Sequence, residues 1–297
     1  MQSSTTPPET EMLARFADGL ANVADAMAMT YFRKPLDVEQ KADLSPVTQA
    51  DRAIEAAMRE SILKEFPAHG ILGEEHEDAR LDAQYLWVLD PIDGTKSFVS
   101  GMPTFGTLIA CLFNGTPELG IISIPPSGER WMGRRGEPST FNGGPCRTSG
   151  RHRLADAILY TTTPDTFDTE GRAQFEALSS KVAMRRFGGD CYGYGLLASG
   201  HIDLVFEMNL HPYDYMALIP VIEGAGGVIT DWKGERLGLH SEGQVLADPV
   251  GPAKAQIAAG RDDDRRQPRI DRLEQFGEET GKPHGAPHSL RISSEPA

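Results

Sequence analysis

Two aspartates at the end of a hydrophobic segment are the residues of this chain best suited to do chemistry. Residues 86–89 are rich enough in large apolar side chains to form a buried strand, and Asp90 and Asp93 follow them around a Pro-Ile pair. Carboxylates in a tight turn are typical ligands of hard divalent cations such as Mg²⁺. Gly94 and Thr95 come next and can open a helix, whose first N–H groups can face an anion. A metal site beside an anion site indicates phosphate chemistry.

Each of these features also has an ordinary explanation, which the residues alone leave open. Acids near turns are often simply solvated, and Asp93 or Thr95 can serve as a plain N-cap. Two further acids favour the metal site, because Glu74 ends the preceding apolar segment and Asp214 opens a predicted helix. Carboxylates that converge from several strand and helix ends can hold two or more Mg²⁺ ions, which activate water and stabilise a leaving oxygen.

Composition argues against several other classes of protein. The chain has 297 residues, of which 39% are hydrophobic, enough for one large domain or two modest ones. Its net charge of -14 argues against a nucleic-acid partner, whose phosphates bind basic surfaces. Three cysteines without a CxxC pair argue against a disulfide framework or a thiolate zinc site. No apolar run reaches the roughly 20 residues of a membrane span, and the first ten residues lack a signal-peptide pattern, so a cytoplasmic location is expected.

Hydrophobic periodicity predicts two halves with different organisation. In the first half, helices are predicted over 9–32 and 50–65, and strands over 70–72, 86–89, 105–113, 119–124 and 131–133. In the second half, strands over 157–162, 182–187, 202–206 and 227–231 alternate with helices over 171–181, 191–199 and 214–225. We therefore predict an N-terminal α+β domain over 1–137 that carries most metal ligands, a C-terminal α/β domain over 138–262 that selects the substrate, and a disordered tail over 263–297.

Four sequence elements together resemble one known family. Residues 90–95, Asp-Pro-Ile-Asp-Gly-Thr, match the signature of the inositol-monophosphatase-like phosphatases, which are Mg²⁺-dependent and lithium-sensitive. Residues 48–51 match their Thr-x-x-Asp element, and residues 73–75 match their Gly-Glu-Glu element. Residues 213–227 match their second signature, with Tyr213 where the family usually has Trp. The resemblance implies a mixed α+β or α/β fold, a layered αβαβα sandwich of the inositol monophosphatase and fructose-1,6-bisphosphatase type.

The resemblance also implies a role for each matching residue. It implies two or three Mg²⁺ ions per active site, with ligands from Glu74, Asp90, the carbonyl of Ile92, Asp93 and Asp214. Thr95, paired with Asp51, would activate the attacking water, and Glu74 would help to orient it. The phosphate would contact Asp93, Gly94 and Thr95. Water would attack in line without a phosphoenzyme, and the resemblance further implies a homodimer.

Residues 188–194 favour one branch of this family. Inositol monophosphatases have a small side chain where this chain has Asp190, and here, as over 96–101 and 211–214, the chain is similar to histidinol-phosphate phosphatases. Histidinol phosphate carries a protonated amine, which a carboxylate at position 190 can pair with. Glu207 stands where the family has an acid that reaches the alcohol part of the substrate, so Asp190, Glu207 and Asp214 are the expected substrate-binding residues. Asp190 can instead cap the helix over 191–199, and Glu207 can be a strand-end acid satisfied by its neighbours.

The sequence therefore predicts a phosphoric monoester hydrolase whose substrate is a small phosphate ester, with no nucleic-acid or membrane partner. The expected reaction is hydrolysis of L-histidinol phosphate, a step of histidine biosynthesis. The alternative is the same chemistry on inositol monophosphate or another small sugar phosphate. A non-catalytic relative would be expected to lack some of the metal carboxylates, and the four acidic side chains that the resemblance requires are all present.

Overall fold

The computed structural model describes residues 8–35, 38–40 and 46–249. Its helices are α1 (Pro8–Tyr31), α2 (Gln49–Glu65), α3 (Thr95–Ser100), α4 (Thr169–Ser179), α5 (Asp190–Ala198), α6 (Pro212–Tyr215) and α7 (Leu218–Gly224). Its strands are β1 (Val38–Gln40), β2 (Pro46–Thr48), β3 (Gly70–Gly73), β4 (Tyr85–Asp93), β5 (Gly106–Phe113), β6 (Thr116–Ile124), β7 (Glu129–Arg134), β8 (Thr140–Phe141), β9 (Gly144–Pro145), β10 (Ile158–Thr161), β11 (Met184–Phe187), β12 (Leu204–Glu207), β13 (Val228–Thr230) and β14 (Val245–Asp248). No helix in these ranges combines the length and the hydropathy needed to cross a bilayer.

A seven-stranded sheet carries the acidic segment. Its strand order is β3-β4-β5-β6-β7-β8-β9, in which β3 and β4 run parallel and the other neighbouring pairs antiparallel. The β5–β6 hairpin turns through Asn114 and Gly115, both at positive φ, as the Asn-Gly pair predicts. Because β3 and β4 are parallel and Gly73 pairs with Leu89, Glu74 emerges beside Asp90 at the same edge of the sheet.

A second, five-stranded sheet positions the residues expected to select the substrate. Its order is β11-β10-β12-β14-β13, with β11, β10 and β12 parallel and β14 antiparallel to both of its neighbours. The carboxyl ends of β10, β11 and β12 therefore lie at one edge of this sheet. Glu207 ends β12, and the connection from β11 to α5 places Asp190 at the same edge.

The two sheets and the helices form five layers. Successive residues of β4 face opposite sides, as the period of a strand requires. Trp87 packs in a core with α1 and α2, whereas Val88 packs in a second core with α5, α7 and one face of the five-stranded sheet. Phe206 faces the opposite side of that sheet and packs with α4 in a third core. The predicted αβαβα sandwich is confirmed.

The helix predicted over 214–225 is interrupted in the structure. It forms two short helices, α6 and α7, with Met216 and Ala217 between them. Proline is tolerated in the first turn of a helix, but in the interior it removes a hydrogen bond and clashes with the carbonyl four residues earlier. The interruption places Pro220 in the first turn of α7 instead of the middle of a longer helix.

Two parts of the predicted domain division can be compared with the described residues, the boundary at 137/138 and the tail over 263–297. The short strands β8 and β9 extend the first sheet beyond the boundary predicted at residues 137/138. The tail predicted over 263–297 lies outside the described residues. The two-domain division stays a prediction.

Candidate active site

The register of β4 against β5 explains how Asp90 and Asp93 reach the same site. Side chains alternate along a regular strand, so residues three apart point to opposite faces. Here Asp90 pairs with Leu108 and Asp93 pairs with Gly106, so three steps along β4 match two along β5. The extra residue is a β-bulge, and the Thr107 hydroxyl donates a 2.9 Å hydrogen bond to a carbonyl within it. The bulge lets both carboxylates face the middle helix layer.

Three carboxylates form the centre of the site. One oxygen from each of Asp90, Asp93 and Asp214 lies within 4.8 Å of the other two. Glu74 is a neighbour of this cluster rather than a member, and its side chain shares a hydrogen bond with Asp90. Burial raises the pKa of Asp90 well above its ordinary value, and repulsion from the surrounding carboxylates raises it further. The structure therefore brings together all four acidic side chains that the sequence assigned to metal binding.

The chemistry of this donor set fits Mg²⁺. Every donor is an oxygen, which is the ligand type that Mg²⁺ prefers. Burial raises the pKa of Asp93 to about 7, and the nearby charge of Asp190 also raises it. Carboxylates that repel one another in a buried place are stabilised by a cation between them. Asp90, Asp93 and Asp214 would hold such an ion, with Glu74 and the carbonyl of Ile92 beside them.

Two carboxylates of the site are fixed in the same way. Asp51 and Asp214 each occupy the third position of a helix, α2 and α6 respectively. Asp51 accepts a hydrogen bond from the backbone N–H of Thr48 at 2.9 Å, and Asp214 accepts one from the backbone N–H of His211 at 2.6 Å. This capping-box arrangement restricts the rotamer of each carboxylate. It also gives the backbone N–H of His211 a structural role.

Thr95 and Asp51 form the predicted pair. The Thr95 hydroxyl lies 3.4 Å from Asp51 Oδ1, a long hydrogen bond, and 3.2 Å from the carbonyl oxygen of Ile92. The backbone N–H of Ile92 in turn donates to Asp90 Oδ1 at 3.1 Å. Burial raises the pKa of Asp51, and the charge of Glu74 adds to this rise. A hydroxyl that connects Asp51 to the acidic cluster is thus in place.

Gly94 is the N-cap of α3, in a conformation and a space that both favour glycine. Its φ is 82°, in the left-handed region, and a Cβ there would lie 2.6 Å from Cγ of Asp190. No described side chain caps α3, so neither Asp93 nor Thr95 is its N-cap. Asp93 instead accepts a hydrogen bond from the backbone N–H of Cys191 in α5. The first N–H groups of α3 therefore have no side-chain cap in the described part of the chain, and such groups at a helix start can bind an anion.

Asp190 is the first residue of α5 but does not cap it. The N-cap position belongs to Gly189, and no side chain in the described part of the chain caps this helix. The Asp190 carboxylate turns away from its own helix and accepts a 2.6 Å hydrogen bond from the Ser97 hydroxyl of α3. Its φ of 46° is a left-handed conformation that Asp and Asn adopt more readily than most residues. The capping alternative for Asp190 is therefore wrong.

The charge of Asp190 acts both on the acidic cluster and on the end of the second sheet. Burial raises its own pKa, while the Ser97 hydrogen bond and the charge of Lys96 lower it. Its charge in turn raises the pKa of Asp93 on one side and the pKa of Glu207 on the other. Asp190 is therefore close enough to affect both the cluster and the carboxylate at the end of β12.

Glu207 is buried and fully engaged with the end of β10. It accepts hydrogen bonds from the Thr161 hydroxyl at 3.1 Å and from the backbone N–H of Thr162 at 2.6 Å. Burial raises its pKa to about 7, and Asp190 adds to the rise. The hydrogen bonds of Glu207 are those of a strand-end acid satisfied by its neighbours. Glu207 is also close enough to Asp190 for the two charges to interact.

We expect Glu207→Gln to stabilise the metal-free protein at alkaline pH. The carboxyl titrates near 7 in the folded chain and near 4.5 in the unfolded chain, so between these values the folded state alone keeps the proton. Its contribution to stability is complete below about pH 4.5 and is lost as the pH rises through 7, a change of about 3 kcal/mol. Urea unfolding of both proteins from about pH 5 to 8.5 measures the difference, with Glu60→Gln, an exposed site, as the control. A difference that does not change with pH would contradict the expectation.

Sequence reasoning missed a buried residue that supports the site. Glu55 lies one helical turn after Asp51 on α2, is fully buried, and accepts a hydrogen bond from the backbone N–H of Glu75. The spacing of four residues from Asp51 was the available signal, because such pairs share a helix face. The Ser97 contact with Asp190 had no such signal, since it joins two elements 93 residues apart.

Comparison with known proteins gives a consistent result. The model of the family described as "Inositol monophosphatase family" matches residues 9–265. A "Bifunctional phosphatase IMPL2, chloroplastic" of Arabidopsis thaliana is 43% identical over 274 residues, which are 92% of this chain and 78% of that protein. A "Histidinol-phosphatase" of Chlorobaculum parvum is 35% identical over 231 residues, 77% of this chain and 89% of that protein. A solved structure of an inositol monophosphatase from Zymomonas mobilis, 45% identical, has a TM-score of 0.77 and covers 84% of this chain and 98% of that chain. The chain therefore belongs to the inositol monophosphatase family and is a phosphatase.

Proposed function

We propose that this phosphatase hydrolyses L-histidinol phosphate to L-histidinol and inorganic phosphate. The observation that carries the proposal is the position of Asp190, whose carboxylate lies against Gly94 at the start of α3 and faces the acidic cluster. A cationic amine on the leaving group would pair with this carboxylate, and such charge-assisted contacts are stronger than neutral ones. The similarity to the histidinol-phosphatase of Chlorobaculum parvum supports the same substrate.

In this proposal the acidic cluster holds two or three Mg²⁺ ions. The residues that would bind them are Glu74, Asp90, the carbonyl of Ile92, Asp93 and Asp214. When bound, Mg²⁺ supplies Lewis-acid polarisation of the phosphoryl group and an activated water. The close approach of three carboxylate oxygens in the described part of the chain supports this assignment.

The remaining residues bind phosphate and handle the proton of the attacking water. The uncapped first turn of α3 supports phosphate contacts from Gly94 and Thr95, with Asp93 beside them. The Thr95 hydroxyl is within reach of both Asp51 and the carbonyl of Ile92; it would donate its one proton to Asp51, so that its oxygen accepts a hydrogen bond from the water. Asp51 would orient Thr95 and Glu74 would orient the water, which attacks in line without a phosphoenzyme.

The alcohol part of the substrate would lie beside the amino end of α5 and the carboxyl end of β12. Asp190, Glu207 and Asp214 are the side chains proposed to contact it. Among the described residues, the Ser97 hydroxyl donates a hydrogen bond to Asp190, and a carboxylate can accept from several donors. An ammonium group would add donors there and reduce the repulsion between Asp190 and Glu207.

The alternative substrate is inositol monophosphate or another small sugar phosphate. It is favoured by the 45% identity to the structure of an inositol monophosphatase from Zymomonas mobilis. A non-catalytic relative is disfavoured, because the described residues include the complete acidic cluster and the Thr95–Asp51 pair. We also propose, from the family resemblance and the composition, a homodimer in the cytoplasm that acts on a small molecule and binds neither nucleic acid nor membrane.

Phosphate release from a panel of esters tests the substrate. We expect kcat/KM with Mg²⁺ to be at least about tenfold higher for histidinol phosphate than for inositol 1-phosphate, fructose 1,6-bisphosphate or adenosine 3′,5′-bisphosphate, a difference of roughly 1.4 kcal/mol in transition-state binding. A preference for inositol 1-phosphate would overturn the proposed substrate and leave the reaction class intact.

A further inference from the structure

A buried ion pair on α2 lies directly beneath the loop that carries Glu74. Glu55 has a completely buried side chain, and Arg59, one turn later, donates Nε to Glu55 Oε1 at 2.6 Å. The Arg59 side chain is itself only 13% exposed. Both residues lie outside the four sequence elements that define the site.

The ion pair binds the backbone that follows Glu74. Glu55 Oε2 accepts the N–H of Glu75 at 2.7 Å. Arg59 donates to the carbonyl of His76 at 3.2 Å and to the carbonyl of Glu77 at 2.9 Å. Three successive residues of the loop are therefore held by two side chains of one helix.

The backbone that precedes Glu74 is held by close packing against the same carboxylate. A Cβ on Gly73 would lie 2.1 Å from Glu55 Oε1, so a larger residue there would displace the Glu55 carboxylate. Glu55 thus contacts the chain on both sides of Glu74, at Gly73 by packing and at Glu75 by a hydrogen bond. The Glu55 carboxylate therefore contacts the residues immediately before and after Glu74.

Positional precision matters at a metal site more than elsewhere. Ligands must be held within roughly 0.5 Å of the productive geometry. Groups that orient ligands without touching the metal typically change metal affinity or activity by about 10–100-fold when removed. Glu74 shares a hydrogen bond with Asp90 of the acidic cluster. It lies on the loop that Glu55 and Arg59 hold.

We propose that Glu55 and Arg59 are positioning residues for Glu74 and thereby set the affinity of the site for Mg²⁺, a proposal that rests on the proposed role of Glu74 as a metal ligand. Neither residue touches the ion or the substrate. They act through the backbone of residues 73–77, which their side chains contact.

Glu55→Gln tests the proposal, because it keeps the size of the side chain and removes its charge. We expect calorimetric titration with Mg²⁺ to show about 10–100-fold weaker binding. The Mg²⁺ concentration for half-maximal activity should rise by the same factor, with kcat at saturating Mg²⁺ changed by less than about threefold. Arg59→Lys keeps a charge beside Glu55 but loses the forked geometry that reaches two carbonyls, so a smaller loss, about 3–10-fold, is expected. This second variant decides the matter if Glu55→Gln does not fold.

Asp203→Asn is the matched control. Asp203 is 1% exposed, accepts from Arg151 at 2.9 Å, and accepts the N–H of Ile158 at the amino end of β10, opposite to the edge that carries the site. Loss of the buried Asp203 charge, whose partner Arg151 is 45% exposed, should lower the melting temperature without changing the affinity for Mg²⁺. If Glu55→Gln and Arg59→Lys behave like this control, the positioning role is overturned.

Glu74→Gln separates this proposal from the metal assignment on which it rests. Unchanged Mg²⁺ binding by Glu74→Gln would overturn the role of Glu74 itself. Weaker binding by Glu74→Gln together with unchanged binding by Glu55→Gln and Arg59→Lys would overturn the positioning role alone. Weaker binding by all three variants supports both.

Discussion

Asp93→Asn is expected to lower kcat by roughly 10³-fold for every phosphate ester, a loss of about 4 kcal/mol of transition-state stabilisation. Asparagine offers one neutral oxygen where aspartate offers two that share a negative charge, so the acidic cluster loses a charge that it needs to hold Mg²⁺. The same change should raise the melting temperature of the metal-free protein at pH 8. Burial raises the pKa of Asp93 to about 7, so the ionised side chain is unfavourable in the folded state above that pH.

Two measurements check this expectation. Phosphate release by Asp93→Asn is followed with saturating Mg²⁺, and thermal unfolding is followed in the presence of a chelator. The fold itself should persist, because the asparagine oxygen can still accept the N–H of Cys191. Unchanged turnover would remove Asp93 from the metal site, and a lower melting temperature without Mg²⁺ would contradict the electrostatic account.

Asp190→Asn is expected to lower kcat/KM for histidinol phosphate by about 10–100-fold and to leave inositol 1-phosphate within about threefold. A hydrogen bond to a charged group contributes about 1.5–3 kcal/mol, which corresponds to this range. Asparagine is preferred to serine for this test, because φ at this position is 46° and Asn adopts such a conformation readily. It also keeps an oxygen that can accept from Ser97.

Comparing the two substrates distinguishes a contact between Asp190 and the substrate amine from a purely structural role of Asp190. Steady-state kinetics on both esters, with the variant and the unmodified protein side by side, measure the ratio of losses. Equal losses on the two esters would show that Asp190 only supports α3 through Ser97. Ser97→Ala is the companion variant, since it removes that support and keeps the carboxylate.

The parts of this structure that local sequence specifies were predicted well. The Asn-Gly turn of the β5–β6 hairpin depends on two adjacent residues. The order of helices and strands was enough, with the family resemblance, to predict the αβαβα sandwich. The acidic residues could be assigned to one site because each stands at the end of an element, although their roles stay predictions.

The parts that depend on pairing between distant segments were not predictable in the same way. Three residues separate Asp90 from Asp93, which in a regular strand implies opposite faces, and only the register against β5 reveals the bulge. Asp190 looked like an N-cap because it opens α5, and the Ser97 contact that turns it away joins two separate helices. In both cases the decisive partner lies elsewhere in the chain.

The place of β14 in the second sheet has a consequence for how the protein is made. It is the last described strand, yet it lies between β12 and β13, and Val245 pairs with Glu207. Synthesis proceeds from the amino end at about 5–20 residues per second, so β12 and β13 leave the ribosome before the strand that joins them. During that interval each presents an open edge, and open edges pair readily with other chains. Soluble yield in the cell therefore depends on how well these two edges are protected until residue 248 has emerged.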